Sequence, residues 1–328
     1  MPLLKLEPFP IFSPKSIDKN RWADFLELLC LINSDKEVSL NDIITMYTQE
    51  ELSGISNGDE NHSEKVDVIR ANFIEIFRYI FSRMDYLDEF YPFFKVDEDT
   101  IKITKIDEKK LLYIFLLFSS NGKYITDTSI PPFLYMTFER ISIDIMKIVY
   151  PNFKNEIFGT STKKGEFFHG GLLINKLESL GKCLNTSLME KAKNNPRYQH
   201  PSGDAGMDSV SYYRLDKEMC ATFMLPVCIG QCTCSYYDWE DKQNSIDIDS
   251  LNKKYEDIVS YHEYIFVSFP LRGINGKWGS DVADRIKTII IDRIRILNIL
   301  HLNNKATILS DEITGYMKTV LGKIDVSV

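Results

Sequence analysis

The residues best suited to chemistry lie in Gly203-Asp204-Ala205-Gly206-Met207-Asp208 and, 23 residues beyond Asp208, at Gln231 in Gly230-Gln231-Cys232-Thr233. Asp204 and Asp208 place two carboxylates on a turn that the glycines allow to bend tightly, just ahead of a strand. A second strand brings the Gln231 amide up beside them. Oxygen donors of this kind suit a hard divalent cation such as Mg²⁺ or Mn²⁺, which keeps waters in most of its positions. Such an ion polarises a phosphate and activates a water, so the chemistry indicated is phosphodiester hydrolysis.

Strand parity sorts the neighbours. Gln231 and Thr233 are two apart and face one way; Cys228, Cys232 and Cys234 face the other. If the first face meets Asp208, the thiols belong to the core. Cys228-x3-Cys232-x-Cys234 lacks the two-residue gap of a zinc knuckle, and buried reduced thiols behave as small apolar groups. Asp204 and Asp208 also suit ordinary turn and cap roles. Gln231, inside an apolar strand, needs a hydrogen-bond partner. Glu178, in the preceding helix, offers a third carboxylate, against the plainer role of a solvated helix residue. Lys242, in Asp238-Trp239-Glu240-Asp241-Lys242, is the nearest cation, against the plainer role of a surface charge.

These residues need elements to position them. The first half reads as helical, with apolar residues at helical spacing around residues 22–32, 43–47 and 66–80, and again at 109–118 and 133–149, the last set up by Pro131-Pro132. Residues 100–104 alternate as a short strand, and residues 52–64 form a polar loop. Residues 150–168, with Pro151, Gly159 and Gly165, mark a boundary. The expected organisation is a helical domain over 1–160, for sensing or partner docking, and a second domain over 161–328. In that second domain residues 171–193 read as helix, 209–214 and 221–235 as strands, 251–261 as helix, 264–269 as a buried strand and 281–300 as one long helix. That order predicts an α/β sandwich. Arg285, Lys287, Arg293 and Arg295, interleaved with Asp281, Asp284 and Asp292, read as a solvated face of the last helix.

With 328 residues, 44% hydrophobic and 26% charged, the chain has room for a sizeable core. A net charge of −8 excludes coating of nucleic acid by bulk attraction, though not a local basic patch. Six cysteines in a chain of this size do not make a secreted disulfide scaffold, and reduced thiols in a cytoplasmic setting are expected. The start, Met1-Pro2-Leu3-Leu4-Lys5, has no signal-peptide pattern, and no run approaches 18 apolar residues, so no membrane association is expected.

The two motifs and the order of elements over roughly residues 165–300 resemble the PD-(D/E)xK nuclease superfamily, the restriction-endonuclease-like fold, and within it Mrr-type branches with a Gln in place of the usual acid. The resemblance implies an α+β or α/β protein, with the N-terminal helical domain followed by a restriction-endonuclease-like sandwich around a central mixed sheet. It implies an Mg²⁺- or Mn²⁺-dependent DNA endonuclease acting in defence against foreign DNA. Asp208 then takes the place of the metal-binding Asp, Gln231 that of the acid two before the catalytic Lys, and Glu178 matches the helix acid by position. Asp204 would join Asp208, Gln231 and Glu178 in the metal shell. The family's Lys falls at Thr233, which supplies no cation, so Lys242 is expected to replace it. DNA is the implied substrate, with a protein partner or a second copy of the chain alongside. The alternative is a non-catalytic, nuclease-like subunit that binds DNA or a protein.

Overall fold

The structure, a computed structural model, describes residues 2–7, 16–51, 62–158, 162–164, 166–184, 186–201, 204–213, 226–245, 255 and 261–326. It is an α+β fold, with N-terminal helices, a small antiparallel sheet and a separate mixed sheet. It divides into two compact units. Unit 1 is Met1–Pro132 with Phe269–Arg285 and Asn304–Val328; unit 2 is Phe133–Ser268 with Ile286–Asn303. The boundary expected near residue 160 therefore falls inside unit 2 by this division, and the chain returns to unit 1 twice.

Unit 1 contains α1 (Ser16–Ile32), β1 (Glu37–Ser39), α2 (Leu40–Glu51), α3 (His62–Leu87), β2 (Phe93–Asp97), β3 (Thr100–Ile103) and α4 (Glu108–Ser120). Ser39 and Asp42 open α2 as a reciprocal cap: Asp42 Oδ2 accepts from Ser39 N at 2.9 Å, and Ser39 Oγ accepts from Asp42 N at 3.2 Å. Asp107 caps α4 by accepting from Lys110 N at 3.0 Å, and residues 111–119 of that helix are buried throughout. The strand expected at 100–104 pairs on both sides, in the order β1-β3-β2. β1 and β2 are strands that helical spacing did not reveal. Of the polar loop expected at 52–64, residues 52–61 lie outside the described residues, and His62 already starts α3.

A polar network lies inside unit 1. Arg83 on α3 donates through Nη1 to Asp24 Oδ1 (2.8 Å) and Glu27 Oε1 (2.6 Å), and through Nη2 to Asn20 O and Oδ1 (both 3.0 Å). Tyr91 and Tyr113 donate their hydroxyls to Glu27 at 2.6 and 2.7 Å, and Asn121 and Ser120 donate to Asp24 Oδ2 at 3.1 and 3.2 Å. Arg83, Asp24, Glu27, Tyr91 and Tyr113 are all buried. The network ties α1, α3 and α4 together. Burial alone would lower the Arg83 pKa, but Glu27, Tyr113 and Asp24 outweigh it and hold the guanidinium charged.

Unit 2 contains α5 (Ile130–Val149, whose first residues belong to unit 1), β4 (Lys154–Ile157), α6 (Leu173–Cys183), α7 (Glu190–Lys193), β5 (Ser209–Tyr212), β6 (Val227–Thr233), α8 (Trp239–Ser245), β7 (Tyr261–Val267) and β8 (Ile289–Ile291). The sheet order is β4-β5-β6-β7-β8; the first two pairings are antiparallel and the last two parallel. α8 packs on β6 and β7. The residues read as a linker at 150–168 contain β4, whose pattern Lys-Asn-Glu-Ile carries too little apolar signal to announce a strand. The helix expected at 171–193 stops at Cys183 and resumes only for a turn in α7. The helix expected at 251–261 lies outside the described residues, except that Tyr261 opens β7 and Tyr255 makes an isolated bridge with Leu188.

The long helix expected at 281–300 is three elements. Ser280–Ala283 is a short helix, β8 follows, and Arg293–Leu302 is a separate helix. Thr288-Ile289-Ile290-Ile291 is a β-branched run that packs well on a pleated surface. Asp292 then caps the next helix by accepting from Arg295 N at 3.0 Å. Arg293, read as solvated, is fully buried and donates through Nε to Ser268 O at 2.8 Å. No helix among the described residues is long and apolar enough to cross a membrane.

Candidate functional site

Asp208 stands immediately before β5, between β4 and β6 in the sheet. Its backbone is held on both sides: its N–H donates to Gly230 O and its carbonyl accepts from Phe158 N, both at 2.9 Å. The turn ahead of it is shaped by Asp204, whose Oδ1 accepts from Gly206 N at 2.8 Å and whose carbonyl accepts from Met207 N at 3.0 Å. Ala205 (φ 55°) and Gly206 (φ 82°) are both left-handed, which an Asx turn followed by Gly accommodates. Gly203 lies outside the described residues.

Gln231 meets Asp208. Gln231 Nε2 donates to Asp208 Oδ2 at 2.8 Å, and Cys232 N donates to the same oxygen at 2.7 Å. Asp208 Oδ1 accepts no hydrogen bond among the described residues. The Gln231 side-chain oxygen Oε1 accepts from Ser245 Oγ on α8 at 3.4 Å. Gln231 thus buttresses Asp208 and links it to α8. Thr233 uses its hydroxyl to accept from Ser235 N at 3.1 Å, a local turn role.

Gly230 makes this close packing possible. A Cβ there would stand 2.2 Å from Ser209 Oγ and 3.1 Å from Phe266 Cε2. Gly230→Ala is therefore expected to destabilise the protein by about 1–3 kcal/mol through overpacking next to Asp208. Urea unfolding measures it, and a midpoint equal to wild type would contradict the packing described.

The electrostatics single out Asp208. It is only 5% exposed. Burial, then the Glu139 carboxylate, then Asp204 push its pKa up to about 8, while the Cys232 N–H and Lys242 pull the other way. Glu139 lies on α5 and was not a candidate from the sequence. The signal that could have found it is topological: with β4 recognised, α5 is the helix directly ahead of the strands, and it carries a carboxylate. Glu178, expected in the metal shell, sits on the exposed face of α6, which lies between β4 and β5 in the chain. Lys242 is half-buried on α8, near enough for its charge to act on Asp208. The helix carrying it is pinned by buried Gln243, whose Oε1 accepts from Lys287 N at 2.8 Å.

A second cation escaped sequence reading. Lys176 is buried on α6, where burial lowers its pKa and Asp204 opposes that shift. Its position on the apolar stripe of Leu173, Leu177 and Leu180 was the available signal.

The thiols lie where parity put them, away from Gln231. Cys228 and Cys232 are buried free thiols. The Cys232 thiol is influenced by Ser142 on α5, and the Cys228 thiol by Tyr150 at the end of that helix. Burial pushes the Cys228 thiol up to about 11 and Cys234 up to about 12, which opposes thiolate metal binding. Cys220 lies outside the described residues. Among the described residues no group of three or more His, Cys, Asp or Glu side chains is placed to hold a metal ion.

The donor set nevertheless fits one kind of ion. Asp208 Oδ1 makes no hydrogen bond among the described residues, and burial first, then the Glu139 and Asp204 carboxylates, favour a protonated Asp208 when no cation is bound. Mg²⁺ is commonly held by one or two carboxylates, with waters and substrate phosphate completing its shell. Asp208 and Glu139 suit that mode, and a cage built from protein ligands alone does not. No family model matches the chain, and no curated protein or solved structure matches it.

Proposed function

We propose that unit 2 is a metal-dependent DNA phosphodiesterase of the PD-(D/E)xK type. The observation that carries this reading is the Asp208–Gln231 pair, with Glu139 and Lys242 acting on Asp208 from two different helices. The order helix, strand, strand, strand, helix, strand (α5, β4, β5, β6, α8, β7, with α6 and α7 inserted) also agrees with it. Asp208 and Glu139 would hold Mg²⁺ or Mn²⁺; Gln231 would orient Asp208, and Asp204 would shape the turn beneath it. The bound ion would supply Lewis-acid polarisation of the phosphate and a more acidic water.

In the hydrolysis, a water oxygen bonds to phosphorus, the bond to one bridging oxygen breaks, and the leaving oxygen takes a proton. Lys242 would place its ammonium against the negative charge that grows on the phosphate. Its position on α8 is the answer this reading gives to the threonine at 233. Lys242→Met is expected to lower Mg²⁺-supported DNA cleavage by about 10²–10³-fold. Its melting temperature should stay near wild type, because the side chain is half-exposed. Unchanged cleavage would remove Lys242 from the site.

A second reading is a non-catalytic subunit that uses the same surface to bind DNA or a protein. Thr233 in a turn role and a donor set that leaves a metal shell incomplete favour it. In that case wild-type protein binds DNA without cutting it under any divalent ion.

A further inference from the structure

We propose that Phe167 is a base-stacking residue beside the Asp208 site, and that the DNA taken there presents an unpaired base. This rests on the phosphodiesterase reading of unit 2. Phe167 is 56% exposed. An isolated exposed aromatic is ordinary on a surface, but this one differs in how it is held and in what lies beside it.

The segment around it is clamped. The Glu166 carboxylate accepts from Arg140 Nη1 at 2.8 Å and Nη2 at 3.2 Å, and from Lys163 N at 2.5 Å. Glu166 N donates to Lys163 O at 3.0 Å, and His169 N donates to Glu166 O at 3.1 Å. The His169 ring nitrogen Nδ1 lies 3.0 Å from Thr162 O. Arg140, which grips the segment, follows Glu139 on α5.

The segment is also tied to Asp208. Phe168 is buried against Phe158, with ring centroids 4.9 Å apart. Phe158 N is the donor to Asp208 O, so it extends the β4–β5 pairing by one step to Asp208 itself. Phe167 stands edge-on to Phe168 at 4.8 Å and 89°. The exposed ring is thus two ring contacts away from the residue bonded to the Asp208 backbone. A backbone segment held in this way gives up less freedom when its aromatic residue stacks.

Lys163 and Lys164 are exposed on the same segment. An aromatic face with adjoining cations is the chemistry that binds single-stranded DNA: the cations follow the phosphates and the ring stacks on a base. In a duplex the base faces are already stacked on each other, so the ring has nothing to take.

The test is fluorescence anisotropy of a labelled single-stranded DNA oligonucleotide and its matched duplex, with the full chain in Ca²⁺, alongside cleavage in Mg²⁺. Phe167→Ala is expected to weaken single-strand binding by about 5- to 100-fold. Phe167→Trp should keep it, duplex binding should change little, and the melting temperature should not move. Single-strand affinity equal to wild type in Phe167→Ala, or an equal loss on the duplex, overturns the stacking role while leaving DNA cleavage by wild type standing. Failure of wild type to bind or cut any DNA overturns both readings together.

Discussion

Asp208→Asn is expected to make the metal-free protein more stable at neutral and alkaline pH. Folding buries this carboxylate beside Glu139 and Asp204 and raises its pKa from 3.8 to about 8. Between those pH values the folded chain holds a proton that the unfolded chain has released. Stability therefore falls as pH rises from about 4 to about 8, and levels off where Asp208 is ionised in both states. The cost at the upper end is on the order of 5–6 kcal/mol. An asparagine can accept the hydrogen bonds from Gln231 and Cys232 without that penalty. The gap in melting temperature between variant and wild type should grow steadily from pH 4 to pH 8. A gap independent of pH would contradict the electrostatics described for the site. A residue that weakens its own fold is a common mark of function, because selection on stability alone would replace it.

Arg83→Met is expected to cost about 3–5 kcal/mol, among the largest single effects available in this chain. The substitution leaves Asp24 and Glu27 buried without their cation and removes the donors to Asn20. Arg83→Lys should recover only part of the loss, because an ammonium lacks the planar fork that reaches Asp24, Glu27 and Asn20 at once. Chemical unfolding measures both variants. A stability for Arg83→Met within about 0.5 kcal/mol of wild type would show that the network contributes nothing, as an exposed site would.

Particular residues show what was legible in the sequence. The placing of Gln231 on the opposite strand face from Cys228 and Cys232 followed from the period of an extended strand, which the fold keeps; its meeting with Asp208 came from the pairing of the two strands. The helices of the first half followed from apolar spacing, and the Ser39–Asp42 cap from its residue types. β4 was hidden because an edge strand of Lys, Asn and Glu has no apolar face to advertise. Without it, Glu178 on α6 stood as the helix carboxylate nearest the strands, and Glu139, on the helix ahead of β4, went unread. β8 was hidden because an isoleucine run flanked by basic residues fits a helical period until Asp292 is seen as a cap. Lys176 and the Arg83 network share one cause: charges at helical core positions acquire meaning only through partners distant in sequence.

The most direct test of the account is nicking of supercoiled plasmid by the full chain in Mg²⁺ or Mn²⁺ above pH 8, where Asp208 is ionised, with Asp208→Asn run beside wild type. The account predicts cleavage by wild type that ceases with a chelator and is absent in the variant, although the variant is the more stable of the two. Equal cleavage by both, or none by wild type with either ion, would contradict it.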